Sequence, residues 1–494
     1  MAGSQAQRGD VVRGISWVAA SHVIGQIAWF GSLFAIAALV DPSDFGSVTV
    51  AMVLVQVAWL LVGSGTRGAF VVTPQLSAAQ VRRAAILNAG AGLAVGGAIA
   101  LLAEPIGHLI APGANIAVLR VLALSVSLFG LSIVPLALLQ KELLFKRHAA
   151  VNATAAIVSS VVAVTAGLLG ADIWALVARQ VLFQALLAGL GWMAVRGVRP
   201  RAGPKGTAKR SSARPPDAKW FFLLAIVSFV ALNVDYVIVG RFTDVTQLGL
   251  YSLAFTIAFA PVTQFAWQIG KVLFPAAART AAADVAGRTV KAVRLAGLAL
   301  LPSIAPAVVL APVLLPEMLG ARWEPMVAPF QILWTVGVIH AVLAILREFL
   351  LGTGHVRLCV PIDFAWLLGV AAALAVLVSV DGMRGAALAH VVMAAPYAAA
   401  YMRYGLPRLG LGSRRFAGAL TEVLLAVGVQ GAATGILALG LPMLGAPRLL
   451  TACVAAAGGL ATLAAVLSRR RDGALAEALA MVGGARGRPA APAS

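Results

Sequence analysis

The chain has 494 residues, of which 61% are hydrophobic and only 11% are charged, far below the roughly 25% charged content of a soluble globular domain. This composition excludes a water-soluble fold. Its 38 basic and 18 acidic residues give a formal charge of +20, which alone would suggest a nucleic-acid-binding protein, but the placement of the charges argues against that class.

Long apolar segments recur along the chain, and a helix needs about 20 residues to cross a bilayer. They predict an all-α polytopic membrane protein with about fourteen transmembrane helices. The first segment follows a short polar N-terminus and lacks a small-residue cleavage pattern, so we expect a retained span. The predicted spans begin near residues 14, 46, 84, 116, 149, 173, 220, 247, 293, 326, 358, 384, 418 and 447.

The charged residues are distributed asymmetrically over the connecting loops. By the positive-inside rule, the basic loops and both termini are predicted to be cytoplasmic, in a multi-pass protein of the cell inner membrane. Basic residues that orient helices and meet anionic lipids account for the net charge without a nucleic-acid partner. The basic loops contain Arg82, Arg83, Lys141, Lys146, Arg147, Arg279, Arg288, Lys291, Arg357, Arg408, Arg414 and Arg415, and the alternate loops contain Asp41, Asp44, Glu104, Asp172, Asp244, Glu317, Glu324 and Asp381.

A segment rich in Pro, Arg, Lys and Ser at residues 199–219 is predicted to be a basic cytoplasmic linker. It separates an N-terminal lobe of six helices, residues 1–198, from a C-terminal lobe of six helices, residues 220–404. Residues 405–468 are predicted to form two additional helices, and residues 469–494 are predicted to form a cytoplasmic tail.

The two lobes contain short segments that look like copies of each other. Residues 38–46 resemble 241–249, residues 169–176 resemble 380–387, and Arg179 and His390 occupy matching places. Six-helix halves in the same orientation imply a pseudo-two-fold axis along the membrane normal, an arrangement typical of transporters that alternate access to a site between two bundles. A chance similarity of short segments is the alternative interpretation.

Polar side chains inside the apolar segments are the candidate substrate site, because a charge at mid-helix costs about 2.5 to 3.5 kcal/mol and needs a partner or a cavity. His22 and Gln26 share a helical face, where they either line a cleft or bond a neighbouring helix. Arg67 and Lys271 lie at equivalent helix ends and would bind an anionic headgroup, although Arg67 can instead reach the inner headgroups. The substrate-site candidates are His22, Gln26, Gln56, Arg67, Arg179, Asn233, Gln264, Gln268 and Lys271.

Two acidic residues are candidates for coupling transport to an ion. Asp235 in the seventh span would hold a proton or a cation, or would pair with Arg241 at the outer boundary. Glu348 adjoins Arg347 in the tenth span. Neighbours in a helix do not face each other, so each of these two needs a separate partner.

No catalytic motif accompanies these residues. H-E-x-x-H, C-x-x-C and P-loop patterns do not occur in the sequence, and the G-x-G-x-x-G match at Gly63–Gly68 lacks a preceding strand. Asp41 and Asp44 favour a cap of the second helix over a catalytic pair. We expect a transporter, with neither cofactor nor metal. A membrane-embedded enzyme, a polymerase or a glycosyltransferase, is the alternative to a transporter.

A series of short motifs runs through the chain in a specific order and spacing. With these motifs, the sequence resembles the polysaccharide repeat-unit flippases, the Wzx-like branch of the multidrug/oligosaccharidyl-lipid/polysaccharide (MOP) exporter superfamily, over nearly its whole length. The motifs are Gly14–Trp17, Asp44–Gly46, Leu143–Lys146, Trp174–Val177, Asn233–Arg241, Leu248–Ala254, Leu273–Pro275 and Leu319–Trp323.

The resemblance implies a V-shaped, MATE-like bundle of two six-helix lobes. It implies that an isoprenoid-pyrophosphate-linked oligosaccharide is flipped from the inner to the outer leaflet by alternating access, with membrane lipids and polysaccharide polymerase machinery as partners. Basic cavity residues would hold the pyrophosphate and polar residues the sugars. The alternative is a proton- or sodium-coupled small-molecule exporter of the same superfamily, with an acidic cavity dominated by Asp235 and Glu348.

Overall fold

The computed structural model describes residues 23–63, 70, 76–198 and 218–468. The regular elements in this part of the chain are all helices, which confirms the predicted all-α class. The predicted tail at 469–494 lies outside the described residues, as does the predicted linker at 199–219 except for its last two residues.

Within each of the described ranges the helices are joined by short connections, and a short helix, Ala103–Ile110, follows the third. Val356–Leu409 is broken at Asp381 and Gly382, so its two parts are numbered separately as α11 and α12. The other helices are α1 Val23–Leu39, α2 Pro42–Gly63, α3 Ala78–Leu101, α4 Ile116–Lys141, α5 Phe145–Leu168, α6 Ile173–Ala194, α7 Lys219–Phe242, α8 Val245–Ala278, α9 Ala282–Leu319, α10 Ala321–Gly352, α13 Ser413–Met443 and α14 Arg448–Ser468.

The number of helices agrees with the predicted spans. Twelve helices of the described part are long and apolar enough to cross a membrane, with α11 and α12 counted together, and α1 is a shorter apolar helix. The break between α11 and α12 is a sharp turn, with φ of 53° at Gly382, a backbone conformation that glycine adopts readily. A side chain at Gly385 would overlap the backbone of Leu377, so these two helices pack closely where they turn.

The largest difference in helix boundaries is at α9, which begins at Ala282 and not near residue 293. Its first turns carry Arg288 and Lys291, which were assigned to a basic loop. A helix can extend beyond the hydrocarbon core with polar turns, and apolar length alone does not detect such an extension.

Local signals explain where several helices begin. Ser77 and Gln80 form a reciprocal capping box before α3, and the Asn115 side chain accepts from the first N–H groups of α4. Pro42 occupies the first position of α2, which it tolerates because no intrahelical donor is needed there. The Asp41 carbonyl accepts from the next turn, in agreement with a helix start at this point.

Three helices are interrupted inside the apolar segments. α7 is interrupted between Ala231 and Val234, and the Asn233 side chain in this gap donates to the Phe229 carbonyl at 2.9 Å. α8 contains a π-helical turn that begins at Pro261, and α9 contains a 3-10 turn with Pro302. Proline lacks the N–H that a regular helix needs, which explains why these two interruptions include prolines.

The described helices divide into two compact units. The N-terminal unit contains residues 23–198 and also Tyr236–Ser252, the end of α7 and the start of α8. The C-terminal unit contains residues 218–235 and 253–468. The N-terminal core includes Ala51, Val55, Leu122, Val126, Ile133 and Val177, and the C-terminal unit buries Trp323, Met326 and Leu333 completely.

The grouping of Tyr236–Ser252 with the N-terminal helices rests on a tight contact between the starts of α2 and α8. A side chain at Gly46 would overlap the Val245 carbonyl, and a side chain at Gly249 would overlap the Pro42 carbonyl. Gly46 and Gly249 are equivalent residues of the predicted repeat, as are Pro42 and Val245. The contact is therefore reciprocal, as expected of two copies related by a local two-fold axis.

Candidate functional site

Three of the predicted substrate-site residues lie partly or wholly outside the described part of the chain. His22 and Arg67 lie in undescribed segments, and only the backbone of Lys271 is described. The proposed pair of cations, Arg67 and Lys271, therefore remains a prediction from the sequence. The other candidates fall into separate groups in the two units.

In the N-terminal unit, Arg179 of α6 binds α1. Its Nη1 donates to the Ser32 hydroxyl at 3.2 Å and to the Trp29 carbonyl at 3.4 Å. Its guanidinium also lies 5.3 Å from the centre of the Trp29 ring, where the electron-rich face attracts a cation. These described partners are all neutral, so none of them offsets the charge of Arg179 among apolar helices. Gln26 and Gln56 are half-buried in the same unit.

In the C-terminal unit, Arg347 of α10 forms a buried ion pair with Asp363 of α11. Nη2 lies 2.8 Å from Asp363 Oδ2 and donates to the Ser228 hydroxyl of α7 at 3.0 Å. The hydroxyls of Tyr401 and Tyr397 donate to Asp363 Oδ1 at 2.7 and 3.2 Å. This network links α7, α10, α11 and α12. Hydrogen bonds to both partners are what a buried ion pair needs to offset its desolvation.

Asp363 was not among the predicted site residues. It lies two residues after Pro361 in an apolar helix, and its exposure is 6%. A single acid in a long apolar segment is a recognisable signal for a buried partner. The sequence predicted that Arg347 and Glu348 need separate partners, and Arg347 does pair with a residue other than Glu348. It did not identify Asp363 as that partner.

Glu348 lies in the wall of a cavity of about 310 Å³. The carboxylate lies against Gly270 of α8, where any added side chain would meet it at about 3 Å. The cavity joins α7, α8 and α10 within the C-terminal unit. Its lining residues are Ser228, Trp267, Gly270, Phe274, Arg347 and Glu348.

Asp235 of α7 and His390 of α12 form a second buried pair. Asp235 Oδ2 lies 4.0 Å from His390 Nε2, and the two side chains are 0% and 1% exposed. The imidazole packs on Phe255 and Phe259, whose ring centres are 5.6 and 5.7 Å away. The predicted alternative partner, Arg241, is exposed. Asp235 therefore lies next to an imidazole that is itself buried against aromatic rings.

The same contact recurs in the two halves of the chain. Arg179 binds Ser32, and His390 lies against Asp235, so in each half the sixth helix of the repeat contacts the first. Ser32 and Asp235 are separated by the same 203 residues as the repeat-related Thr49 and Ser252. This supports the predicted correspondence between Arg179 and His390, because each lies against the first helix of its own half.

The remaining glutamine and asparagine candidates differ in how they are bonded. Asn233 is buried and bonds within α7, so it serves the interruption of that helix. Gln264 Oε1 is buried and has no hydrogen-bond partner in the described part of the chain. Because a buried amide oxygen without a partner is costly, Gln264 is a group that a polar ligand would satisfy. Gln268 is half-buried one turn further along α8.

An all-helical bundle that holds charged groups inside apolar helices is typical of membrane transporters. The chain belongs to the family described as "Polysaccharide biosynthesis protein", whose model matches residues 35–328. Two curated relatives are similar to this chain in sequence. "Lipopolysaccharide biosynthesis protein WzxC" of Escherichia coli (strain K12) is 23% identical over 350 residues, 68% of each chain. "Succinoglycan biosynthesis transport protein ExoT" of Rhizobium meliloti (strain 1021) is 26% identical over 269 residues, and the chain spans about half its length, 53%.

Solved structures share the fold at low sequence identity. The inward closed conformation of the lipid II flippase MurJ matches with a TM-score of 0.66 at 12% identity, over 90% of this chain and 98% of that one. An inward-facing multidrug resistance MATE family transporter of the MOP superfamily matches with a TM-score of 0.58 at 13% identity, over 77% and 94%. The fold is therefore the one that these two transporters share, and it confirms the MATE-like fold that the resemblance implied.

Proposed function

We propose that this protein flips an isoprenoid-pyrophosphate-linked oligosaccharide, a polysaccharide repeat unit, from the inner to the outer leaflet of the cytoplasmic membrane. The observation that carries the proposal is membership of the polysaccharide biosynthesis family in a chain built of membrane-spanning helices. The named relatives support it, because one belongs to lipopolysaccharide biosynthesis and the other to succinoglycan transport. The protein is a transporter, and it needs no bond chemistry for this task.

The proposed cargo makes three physical demands. Its pyrophosphate needs cations inside the membrane, its sugars need hydrogen-bonding groups, and its hydrocarbon tail can stay in lipid. Arg179 supplies a cation whose described partners are neutral, and we assign Arg67 and Lys271 the same role. Amides suit the sugar hydroxyls, and His22, Gln26, Gln56, Asn233, Gln264 and Gln268 are the side chains proposed to contact them.

The charge balance of the C-terminal unit argues against the alternative, an exporter of small cations. Asp363 is matched by Arg347, and Asp235 lies beside His390. Glu348 shares its cavity with the guanidinium of Arg347. A site for cationic cargo needs carboxylates in excess of cations, and Arg347 accompanies both Asp363 and Glu348. We propose Asp235 and Glu348 as ion-coupling residues and not as cargo ligands.

The proposed orientation places both termini and the basic loops in the cytoplasm, with inner-leaflet lipids around them. We propose that residues 1–198 and 220–404 are the two moving lobes, joined by the 199–219 linker. Residues 405–468 are then an addition to the six-helix repeat and 469–494 a cytoplasmic tail. Polysaccharide polymerase machinery on the outer side would take over the flipped cargo.

Reconstitution tests the proposal directly. Proteoliposomes that contain the full chain are loaded with a fluorescent isoprenoid-pyrophosphate oligosaccharide, and a membrane-impermeant quencher reports the fraction in each leaflet. Protein-dependent exchange of this lipid, with little exchange of the isoprenoid monophosphate, is the expected result. Equal exchange of both lipids would show a non-selective scramblase. No exchange, in vesicles that exchange a fluorescent cationic drug, would favour the exporter.

A further inference from the structure

A groove lies between the start of α5 and the end of α6 in the N-terminal unit, away from the polar groups described above. Its volume is about 500 Å³. None of the residues that line it is acidic, and two are arginines. The lining residues are Arg147, Ala150, Val151, Thr154, Leu190, Met193, Ala194 and Arg196.

The two arginines lie at one end of this groove. Arg147 is in the first turn of α5, and its Nη1 donates to the Ala194 carbonyl at 3.0 Å. This bond satisfies a carbonyl at the C-terminal end of α6, where a positive charge is favourable. A guanidinium has five N–H donors, so further donors of Arg147 are available to a ligand. Arg196 is exposed on the turn that follows α6.

Apolar side chains line the rest of the groove, together with Thr154. Val151 is buried, Leu190 is half-buried and Met193 is exposed. Because a helix rises about 1.5 Å per residue, Arg147 and Thr154 lie about 10 Å apart along α5. Arginines and apolar side chains therefore lie within about 10 Å of each other along the groove, about the depth that separates lipid phosphates from the first acyl carbons.

We infer that this groove binds an anionic phospholipid. The phosphodiester lies between the guanidinium groups of Arg147 and Arg196, and the first part of an acyl chain lies along Val151, Leu190 and Met193. Basic pockets between transmembrane helices are suited to anionic headgroups. A phosphodiester also fits the planar fork of arginine better than the point charge of lysine.

Exposure of the lining favours a membrane lipid over a soluble anion. Ala150, Thr154 and Met193 are exposed, so the apolar part of the groove opens to the surroundings of the helices, which in a membrane are lipid chains. Trp192 of the same turn is 38% exposed and donates its indole N–H to the Leu131 carbonyl. Tryptophan in this setting is typical of the membrane interface.

Photolabelling of the full-length protein tests the inference. The protein is placed in phosphatidylcholine nanodiscs with trace photoactivatable phosphatidylglycerol, and labelled peptides are mapped by mass spectrometry. We expect label on residues 145–154 and 187–198, competed by unlabelled phosphatidylglycerol but not by phosphatidylcholine or inorganic pyrophosphate. Arg147→Gln with Arg196→Gln lowers the apparent affinity about 30-fold, as expected for two basic contacts near the membrane surface.

Controls separate this site from general basic charge and from misfolding. Arg414→Gln with Arg415→Gln removes two exposed arginines at the start of α13 and should leave the labelling unchanged. Arg196→Gln alone, which changes an exposed side chain on the turn after α6, should lower the affinity about fivefold. Equal labelling of the wild type and both groove variants would overturn the inference. Competition by phosphatidylcholine, or by inorganic pyrophosphate, would show instead a charge-independent lipid groove or a site for soluble anions.

Discussion

Thr49 and Ser252 are equivalent residues of the two sequence repeats, and their hydroxyls hydrogen bond to each other at 2.8 Å across 203 residues of chain. Each hydroxyl also lies near a carbonyl of its own helix, Phe45 for Thr49 and Gly249 for Ser252. A bond between equivalent residues places a local two-fold axis between them. The axis runs between the starts of α2 and α8, whose glycines Gly46 and Gly249 allow the two backbones to touch.

The glycine contact predicts a strong effect of a very small substitution. Gly249→Ala puts a methyl group into the Pro42 backbone, so α2 and α8 must separate, at a cost of about 1 to 3 kcal/mol for such overpacking. We expect a lower unfolding temperature in detergent and slower exchange of the proposed cargo. Gly97→Ala in α3, where a side chain meets nothing within 4 Å, is the matched control. An unchanged Gly249→Ala protein would contradict the close contact.

The buried ion pair predicts an asymmetry between single and double substitutions. Asp363→Leu leaves the Arg347 guanidinium without its carboxylate and should cost about 3 to 5 kcal/mol, whereas Arg347→Met with Asp363→Leu should cost much less. The free energy of unfolding in denaturant measures both. The exposed Arg120 and Glu104, 3.7 Å apart, serve as the control pair, since a surface pair is worth about 0 to 1 kcal/mol. Equal losses in the single and double variants would disagree with this prediction.

Asp235 is predicted to couple transport to an ion gradient. Asp235→Asn keeps the size of the side chain beside His390 but removes the charge, so flipping in proteoliposomes should lose its acceleration by an imposed proton or sodium gradient. Asp244→Asn is the control, because Asp244 is exposed and caps α8 through the Gln247 N–H at 2.7 Å, a role that Asn also fills. Full acceleration in Asp235→Asn, with loss in Glu348→Gln, would move the coupling site to the cavity of Glu348.

Arg179 is predicted to contribute to holding the pyrophosphate. Arg179→Gln should weaken binding of the isoprenoid-pyrophosphate oligosaccharide about tenfold or more, the worth of one charge-assisted hydrogen bond. Arg179→Lys should recover part of the loss, since it restores the charge but not the fork. Arg120→Gln removes an exposed arginine of α4 and should bind normally. Equal binding by Arg179→Gln would restrict Arg179 to its contact with Trp29 and Ser32.

Much of the fold was predictable because each span is an apolar segment of sufficient length, and the helices at Ile116 and Ile173 begin where the sequence placed them. The repeat was also predictable, since Gly46 and Gly249 mark equivalent turns. The assignment of Tyr236–Ser252 to the N-terminal unit was not, because hydropathy reports burial in lipid and not which helices touch. Asp363 was missed for a related reason. The adjacent charges of Arg347 and Glu348 show that partners are needed, but only the packing of the helices identifies those partners.

The most direct test of the proposed function is the leaflet distribution of isoprenoid-pyrophosphate oligosaccharides in cells depleted of this protein. Impermeant labelling of the sugars in intact cells, compared with mass spectrometry of the total lipid, gives the fraction in each leaflet. The flippase account predicts accumulation on the cytoplasmic face, reversed by the wild-type chain but only weakly by Gly249→Ala. A normal amount and a normal distribution after depletion, in cells without a second carrier, would contradict it.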